Sequence, residues 1–321
     1  MRVLVVGASG FIGRRIVGHL CASGHEVVAA VRRVEETRRI FPGIKVVRCD
    51  LRFDVAPDAW TNHLRGIEAV VNAAGVLQDG AAQQIHADGP KALYAACADA
   101  GIRRVVHISA VSADSAAGTA YAETKLAGER ALRALDLDWV ILRPSLIYGE
   151  GSYGGTSMLR GLAGFPYITP LPGTGDQVFQ PLHVDDLCRA VALALSEPHL
   201  ARTTISPVGP ERLTLREIVR LWRGWLGIAP APVLALPMGL AGAAAKLGDW
   251  LNLAPLTTTS LQQLVYGNVA PLEPFVSAVA FTPRRFEDAL LERPANVQDR
   301  WHARLFWPRL LLRFGLAAFW L

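Results

Sequence analysis

The chain has 321 residues, 51% of them hydrophobic and 19% charged, a balance that supports a substantial buried core in one or two domains. The net charge of +5 permits contact with polyanions, but the arginines are dispersed and no run of aromatic and basic residues precedes the C-terminus, which argues against nucleic-acid binding. Cys21, Cys49, Cys97 and Cys188 are scattered without a Cys-x-x-Cys pair, and no signal-peptide pattern opens the sequence, so a zinc site and a disulfide framework are not indicated and a reducing, cytoplasmic setting is expected.

The first predicted element is a strand, Val3-Leu4-Val5-Val6, followed directly by Gly7-Ala8-Ser9-Gly10-Phe11-Ile12-Gly13 and an amphipathic helix from Phe11 to Leu20. This order suits a dinucleotide: Gly7 permits the tight turn, Gly10 lets the backbone approach a pyrophosphate, and Gly13 lets helix and strand pack closely. Free N–H groups and the positive dipole end of the helix then favour the anion. Short β-branched runs follow at Glu26–Val31, Lys45–Cys49, Ala69–Asn72, Arg104–Ile108 and Trp139–Leu142, with helical spacing between them, as in Ala81–Ala100. The rhythm predicts an α/β fold, a Rossmann-type doubly wound parallel sheet with a smaller C-terminal substrate lobe. After Arg143 glycine and proline punctuate 149–175, a helical pattern runs from Val184 to Leu195, and Thr214-x-x-Glu217 forms a capping box for a helix from Leu215 to Leu226. The expected division is a nucleotide-binding core over 1–150 with 176–209 returning to it, a lobe over 151–175 and 210–295, and a basic, aromatic terminal helix over 296–321.

Cofactor choice is read at the end of the second strand. An acidic side chain there would accept from a ribose 2′-hydroxyl, whereas this chain has Val31-Arg32-Arg33, whose guanidinium donors suit a 2′-phosphate; Arg14 adds a further positive charge. NADP(H) is therefore expected over NAD(H). Asp50, after the third strand, serves either as an acceptor for an adenine amine or as a helix N-cap.

Chemistry is expected at Ser109, Ser112, Tyr121 and Lys125. Tyr121 and Lys125 are four residues apart, one turn of helix, and so share a face. An ammonium beside a phenol favours the phenolate, which lowers the tyrosine pKa and equips it for proton exchange with a substrate hydroxyl or carbonyl.

Together these features resemble the short-chain dehydrogenase/reductase superfamily in its extended, atypical, NAD-dependent epimerase/dehydratase-like branch. The resemblance covers roughly residues 1 to 290. It rests on Gly7-x-x-Gly10-x-x-Gly13, Cys49-Asp50-Leu51, Asn72-Ala73-Ala74-Gly75, His107-Ile108-Ser109, Tyr121-x-x-x-Lys125, Leu142-Arg143-Pro144-Ser145 with Tyr148-Gly149, and His183-Val184-Asp185-Asp186. It implies Tyr121 as acid/base, Lys125 on the nicotinamide ribose, a serine on the substrate oxygen, and Ser9, Phe11, Ile12, Leu51, Ala73, Ala74, Gly75, Ile108 and Pro144 among the cofactor contacts. The stretch 171–186 is similar to the group around the dehydrogenase-like accessory subunit of respiratory complex I. Two features depart from the pattern: Ala110 and Val111 stand where the catalytic serine usually lies, so that Ser109 or Ser112 serves or the role is vacant, and His86 replaces a common asparagine. The implied activity is that of an oxidoreductase or epimerase transferring hydride between NADP(H) and a small-molecule carbonyl or alcohol; the alternative is a non-catalytic NADP(H)-binding protein, structural or redox-sensing, at a membrane surface.

The tail carries Arg300, Arg304, Arg309 and Arg313 among Trp301, Phe306, Trp307, Phe314, Phe319 and Trp320, and closes on an apolar run to Leu321. That run falls short of the roughly 20 apolar residues that span a bilayer. The basic and aromatic mix suits the cytoplasmic face of a membrane and resembles the lead-in to a DoxX-like membrane domain, while the competing expectation is a terminal helix docked on the core.

Overall fold

The computed structural model describes residues 1–77, 80–113, 118–251, 253, 255–266 and 268–319. The chain forms two compact units, one of Met1–Pro144, Val184–Pro207 and Pro271–Thr282, the other of Ser145–His183, Val208–Ala270 and Pro283–Leu321. Residues 176–183 thus belong to the second unit and 271–282 to the first, a departure from the boundaries read in the sequence.

In chain order the first unit begins with β1 (Arg2–Val6), α1 (Phe11–Ala22), β2 (Glu26–Val31), α2 (Val34–Ile40), β3 (Lys45–Arg48), β4 (Ala69–Asn72), α3 (Gly89–Asp99), β5 (Arg104–Ile108), α4 (Ala120–Arg133) and β6 (Asp138–Leu142). The second unit takes β7 (Ile147–Tyr148), α5 (Gly155–Ala163), β8 (Thr169–Pro172), β9 (Val178–Phe179) and β10 (Leu182–His183). The first regains the chain with α6 (Val184–Ser196) and β11 (Thr203–Ile205). After β12 (Leu213–Thr214), α7 (Leu215–Trp225), β13 (Val233–Leu236), α8 (Met238–Trp250) and α9 (Thr258–Tyr266) in the second unit, α10 (Glu273–Val279) belongs to the first. The second ends with α11 (Phe286–Glu292) and α12 (Val297–Phe319).

The first unit's sheet is parallel throughout, in the order β11-β6-β5-β4-β1-β2-β3. Its strands are almost continuous runs of valine, isoleucine and alanine because helices cover both faces; Val3, Val5, Val70, Val71, Val105 and Val106 are all fully buried. The order reverses between β1 and β4, the switch point at which ligands of such sheets bind. One expected helix, Ala81–Ala100, divides into a π-turn at Gln84–Asp88 and α3. Such a turn inserts an extra residue into the helical ladder, commonly at a functional site, and here it carries His86.

In the second unit α7 starts at the predicted capping box, with both Thr214–Glu217 bonds formed. Its apolar stripe, Leu215, Ile218, Val219 and Trp222, packs in a core with Leu159, Leu162 and Phe286. Buried Arg223 donates to the carbonyls of Ala163, Phe165 and Ala229, fastening the ends of two loops to the helix.

The terminal segment docks. Ala303 and Leu310 are buried, Phe306 lies against Gly161 of α5, and the Ala303 carbonyl sits where a side chain on Gly164 would fall. Trp301 and Leu312 remain exposed, while Trp320 and Leu321 lie outside the described residues. A chain ending at Gln298 is therefore expected to melt about 5–10 °C lower in a thermal scan, having lost the apolar contact between α5 and α12. An unchanged midpoint would mean that this docking contributes nothing to stability.

Candidate active site

Two loops at the switch point form a cradle. Gly7 leaves β1 with φ of +79°, and a Cβ there would lie 2.8 Å from the Ala74 nitrogen of the loop that follows β4. At Gly13 a Cβ would fall 2.1 Å from the Gly7 carbonyl oxygen, so helix, turn and neighbouring loop close up only with hydrogen at both positions. Gly10 is the N-cap of α1 and supplies no side-chain bond to the helix, so Phe11 and Ile12 begin α1 with amides available to an anion. Ser9 accepts from Arg14 through its carbonyl at 2.8 Å. The Asn72 side chain holds the adjoining loop: its Oδ1 accepts the Ala74 N–H at 3.1 Å and its Nδ2 donates to the Tyr94 hydroxyl at 2.9 Å. That hydroxyl is in turn hydrogen-bonded to His107 Nδ1 at 2.7 Å. Ala73 completes the loop by donating to the Val6 carbonyl, and Gly75 is exposed at its end. The hydrogens and the N-terminus fit a dinucleotide pyrophosphate, which requires backbone approach and free amides.

At the end of β2, Arg32 is exposed and Arg33 is 81% exposed in its side chain, where it pairs with Glu36 at 3.3 Å. Asp50 is engaged by Arg52, whose Nε and Nη2 reach its two oxygens at 2.9 and 2.6 Å, and this guanidinium holds the carboxyl below the usual aspartate range. Its Oδ1 also accepts the Arg52 N–H at 3.2 Å, so the carboxylate caps the turn that follows β3. Leu51 is buried in the core.

α4 carries Tyr121 and Lys125, and begins at Thr119, whose hydroxyl caps the Ala122 N–H. Lys125 is buried, its Nζ donating to the Ile108 carbonyl at 3.1 Å at the end of β5. A Cβ at position 75 would lie 3.0 Å from that Nζ, so the exposed end of the β4 loop meets the ammonium. Burial pulls Lys125 down to about 8, against an opposing pull from Glu129. The sequence implies a lowered Tyr121 pKa, whereas burial pushes the hydroxyl up to about 12.

The two serines separate. Ser109 donates to Glu129 Oε1 at 2.6 Å, inside a cluster in which Arg143 and Arg133 also bond that carboxylate. Ser112 is equally buried, but its Oγ has no hydrogen-bond partner among the described residues. An orphaned hydroxyl in a buried position costs about 1–3 kcal/mol unless something arrives to bond it. Pro144 meets this segment through its carbonyl, which accepts from Val111.

His86 is buried with its ring edge-on to Tyr121, centroids 5.5 Å apart. Its Nε2 accepts from the Val76 N–H at 3.0 Å, which fixes the proton on Nδ1 for donation to Thr124 Oγ1 at 2.9 Å. Burial, aided by Lys125, drives this imidazole down to about 3, so it stays neutral. The role of His86 as a spacer with both nitrogens spent, and that of Glu129, were not apparent in the sequence; a glutamate at i+4 from Lys125 on the predicted helix was the one signal for the latter.

Residues 7–162 match the profile of the family described as NAD(P)H-binding. A ceramide reductase of Caulobacter vibrioides is 28% identical over 256 residues, covering 78% of each chain. The mitochondrial NADH dehydrogenase (ubiquinone) 1 alpha subcomplex subunit 9 of Rattus norvegicus is 26% identical over 225 residues; the match covers 67% of this chain and 59% of that longer subunit. Among solved structures, MoeE5 in complex with UDP-glucose and NAD is similar with a TM-score of 0.69 at 23% identity, over 95% of this chain and 100% of that one, which is a likeness of fold.

Proposed function

We propose that this chain, an NAD(P)-binding protein with homologues in the short-chain dehydrogenase/reductase-like, NAD-dependent epimerase/dehydratase branch, is an NADP(H)-dependent oxidoreductase acting on a carbonyl or alcohol. The observation that carries the reading is Lys125: a buried ammonium held on the Ile108 carbonyl, one helical turn from Tyr121 and against Gly75 of the cofactor cradle. A bound nicotinamide would supply or accept the hydride. Tyr121 transfers the proton at the substrate oxygen, Lys125 supports the phenolate as it forms, and Ser112 Oγ polarises the same oxygen. Ser109 keeps the Glu129 cluster together instead. The name of the Caulobacter relative supports a ceramide-class substrate.

Preference for NADP(H) follows from Arg32, exposed at the end of β2 where a carboxylate would select NAD(H). Fluorescence titration is expected to give a Kd for NADPH about tenfold below that for NADH, the worth of one charge-assisted hydrogen bond. Arg32→Asp is expected to narrow or reverse the difference. Equal affinities in the unmodified protein would overturn the preference.

A further inference from the structure

Between Arg223 and Glu273 the sequence holds only two charged residues, Lys246 and Asp249. Much of this stretch is nonetheless at the surface. Three of the four residues of β13 are exposed. α8 buries only Ala245 and Gly248 among its 13 residues, while Leu240 is 64% and Trp250 70% exposed. The strand pairing extends the patch, since Val233 pairs with Thr169, and Tyr167, two residues earlier, is 83% exposed. At the end of α9 Tyr266 is exposed as well. Exposed apolar side chains this numerous on neighbouring elements, β13 beside β8 and α8 beside α9, mark an interaction site.

We propose that β13 and α8 form a docking surface for a lipid bilayer that carries anionic headgroups. α8 has a third fewer residues than the roughly 20 needed to cross hydrocarbon, and no helix among the described residues is long and apolar enough to do so, so the contact lies in the plane of the interface. Trp250, Tyr266 and Tyr167 have the apolar ring and polar edge that settle at headgroup level. Lys246 is the cation on α8, and its stem can follow the apolar face while the ammonium stays in the headgroups. Further cations come from α12: Arg309 and Pro255, the latter from the connection between α8 and α9, line the same cavity of about 660 Å³, and Arg304 is exposed one turn earlier. Pairing with a second copy along β13 is disfavoured by Pro230, Pro232 and Pro237, which precede and bracket the strand and blunt its free edge. The surface involves neither Tyr121 nor the cofactor cradle, so its test is independent of the proposed reaction.

The test uses the full chain, without cofactor, in co-sedimentation with phosphatidylcholine vesicles prepared with and without phosphatidylglycerol, alongside its mass by light scattering. The expected result is a monomer that sediments with the anionic vesicles. Leu240→Glu and Trp250→Glu are each expected to weaken binding about tenfold or more, since each withdraws a large apolar group and inserts a charge. Both positions are exposed, and an unchanged thermal midpoint confirms that each variant is folded. Arg309→Glu is expected to weaken binding to the anionic vesicles. Failure of the unmodified chain to sediment, or undiminished binding by the folded Leu240→Glu and Trp250→Glu variants, would overturn the proposal. A dimer that Leu240→Glu converts to a monomer would overturn it too, by assigning the surface to a second copy.

Discussion

Tyr121→Phe is expected to remove turnover by a factor of about 10²–10⁴ while leaving NADPH affinity nearly unchanged, because only the hydroxyl is lost and the ring still packs beside His86. Steady-state kinetics with a ketone substrate and a parallel cofactor titration check it. Ser112→Ala is expected to lower kcat through loss of a group bonded only to substrate, whereas Ser109→Ala should act mainly on stability through Glu129. Full activity in Tyr121→Phe would remove this residue from the chemistry. The pH profile adds a second readout. Lys125 keeps its ammonium below about 8 and loses it above, so support for the phenolate fades as pH rises through that value. Tyr121, pushed up to about 12, retains its proton across the same range. Lys125 also affects stability with a definite sign: between about 8 and its ordinary value near 10.5 the unfolded chain binds more protons than the folded one, so its contribution to stability rises with pH across that window.

Glu129→Ala is expected to be among the most damaging substitutions away from the reacting groups. The carboxylate is fully buried and accepts from Ser109, Arg133 and both ends of the Arg143 guanidinium. Removing it deprives two guanidiniums of their shared carboxylate, a loss of about 3–5 kcal/mol, read as a fall of roughly 10 °C in the melting midpoint. Because α4, β5 and the end of β6 meet at this group, Lys125 should lose its register on Ile108, and cofactor affinity should fall with stability. Glu129→Gln keeps the shape and part of the bonding and is expected to lose less. Unchanged melting of Glu129→Ala would show that the cluster does not hold these elements.

Much of the sheet could be read from the chain because strand formation here depends on local composition: the valine-rich runs at 26–31, 69–72 and 104–108 coincide with β2, β4 and β5. The glycine spacing at 7, 10 and 13 was legible for the same reason, as one turn and one helix start within a few residues. What the sequence did not disclose depends on partners far along the chain. Nothing in the pattern distinguishes Ser109 from Ser112 until Glu129 is seen to occupy the former. For Tyr121, spacing reveals a charge one turn away but not the loss of water that raises its hydroxyl. The terminal helix illustrates a further limit: its arginines and aromatics suit a membrane lead-in and a docked helix equally, and the contacts of Phe306 with Gly161 and of the Ala303 carbonyl with Gly164 exist only after folding.

The discontinuous path of the first unit has a consequence for synthesis. β6 pairs on one side with β5, but its other neighbour, β11, lies roughly 60 residues further on. At about 5–20 residues per second, the ribosome leaves the Val140-Ile141-Leu142 edge without its partner for about 3–12 s. During that interval an apolar strand with free backbone donors and acceptors is open to other nascent chains. Whatever shields it then, whether a chaperone or the unfinished second unit, governs the yield of this protein at the stage before its sheet can close.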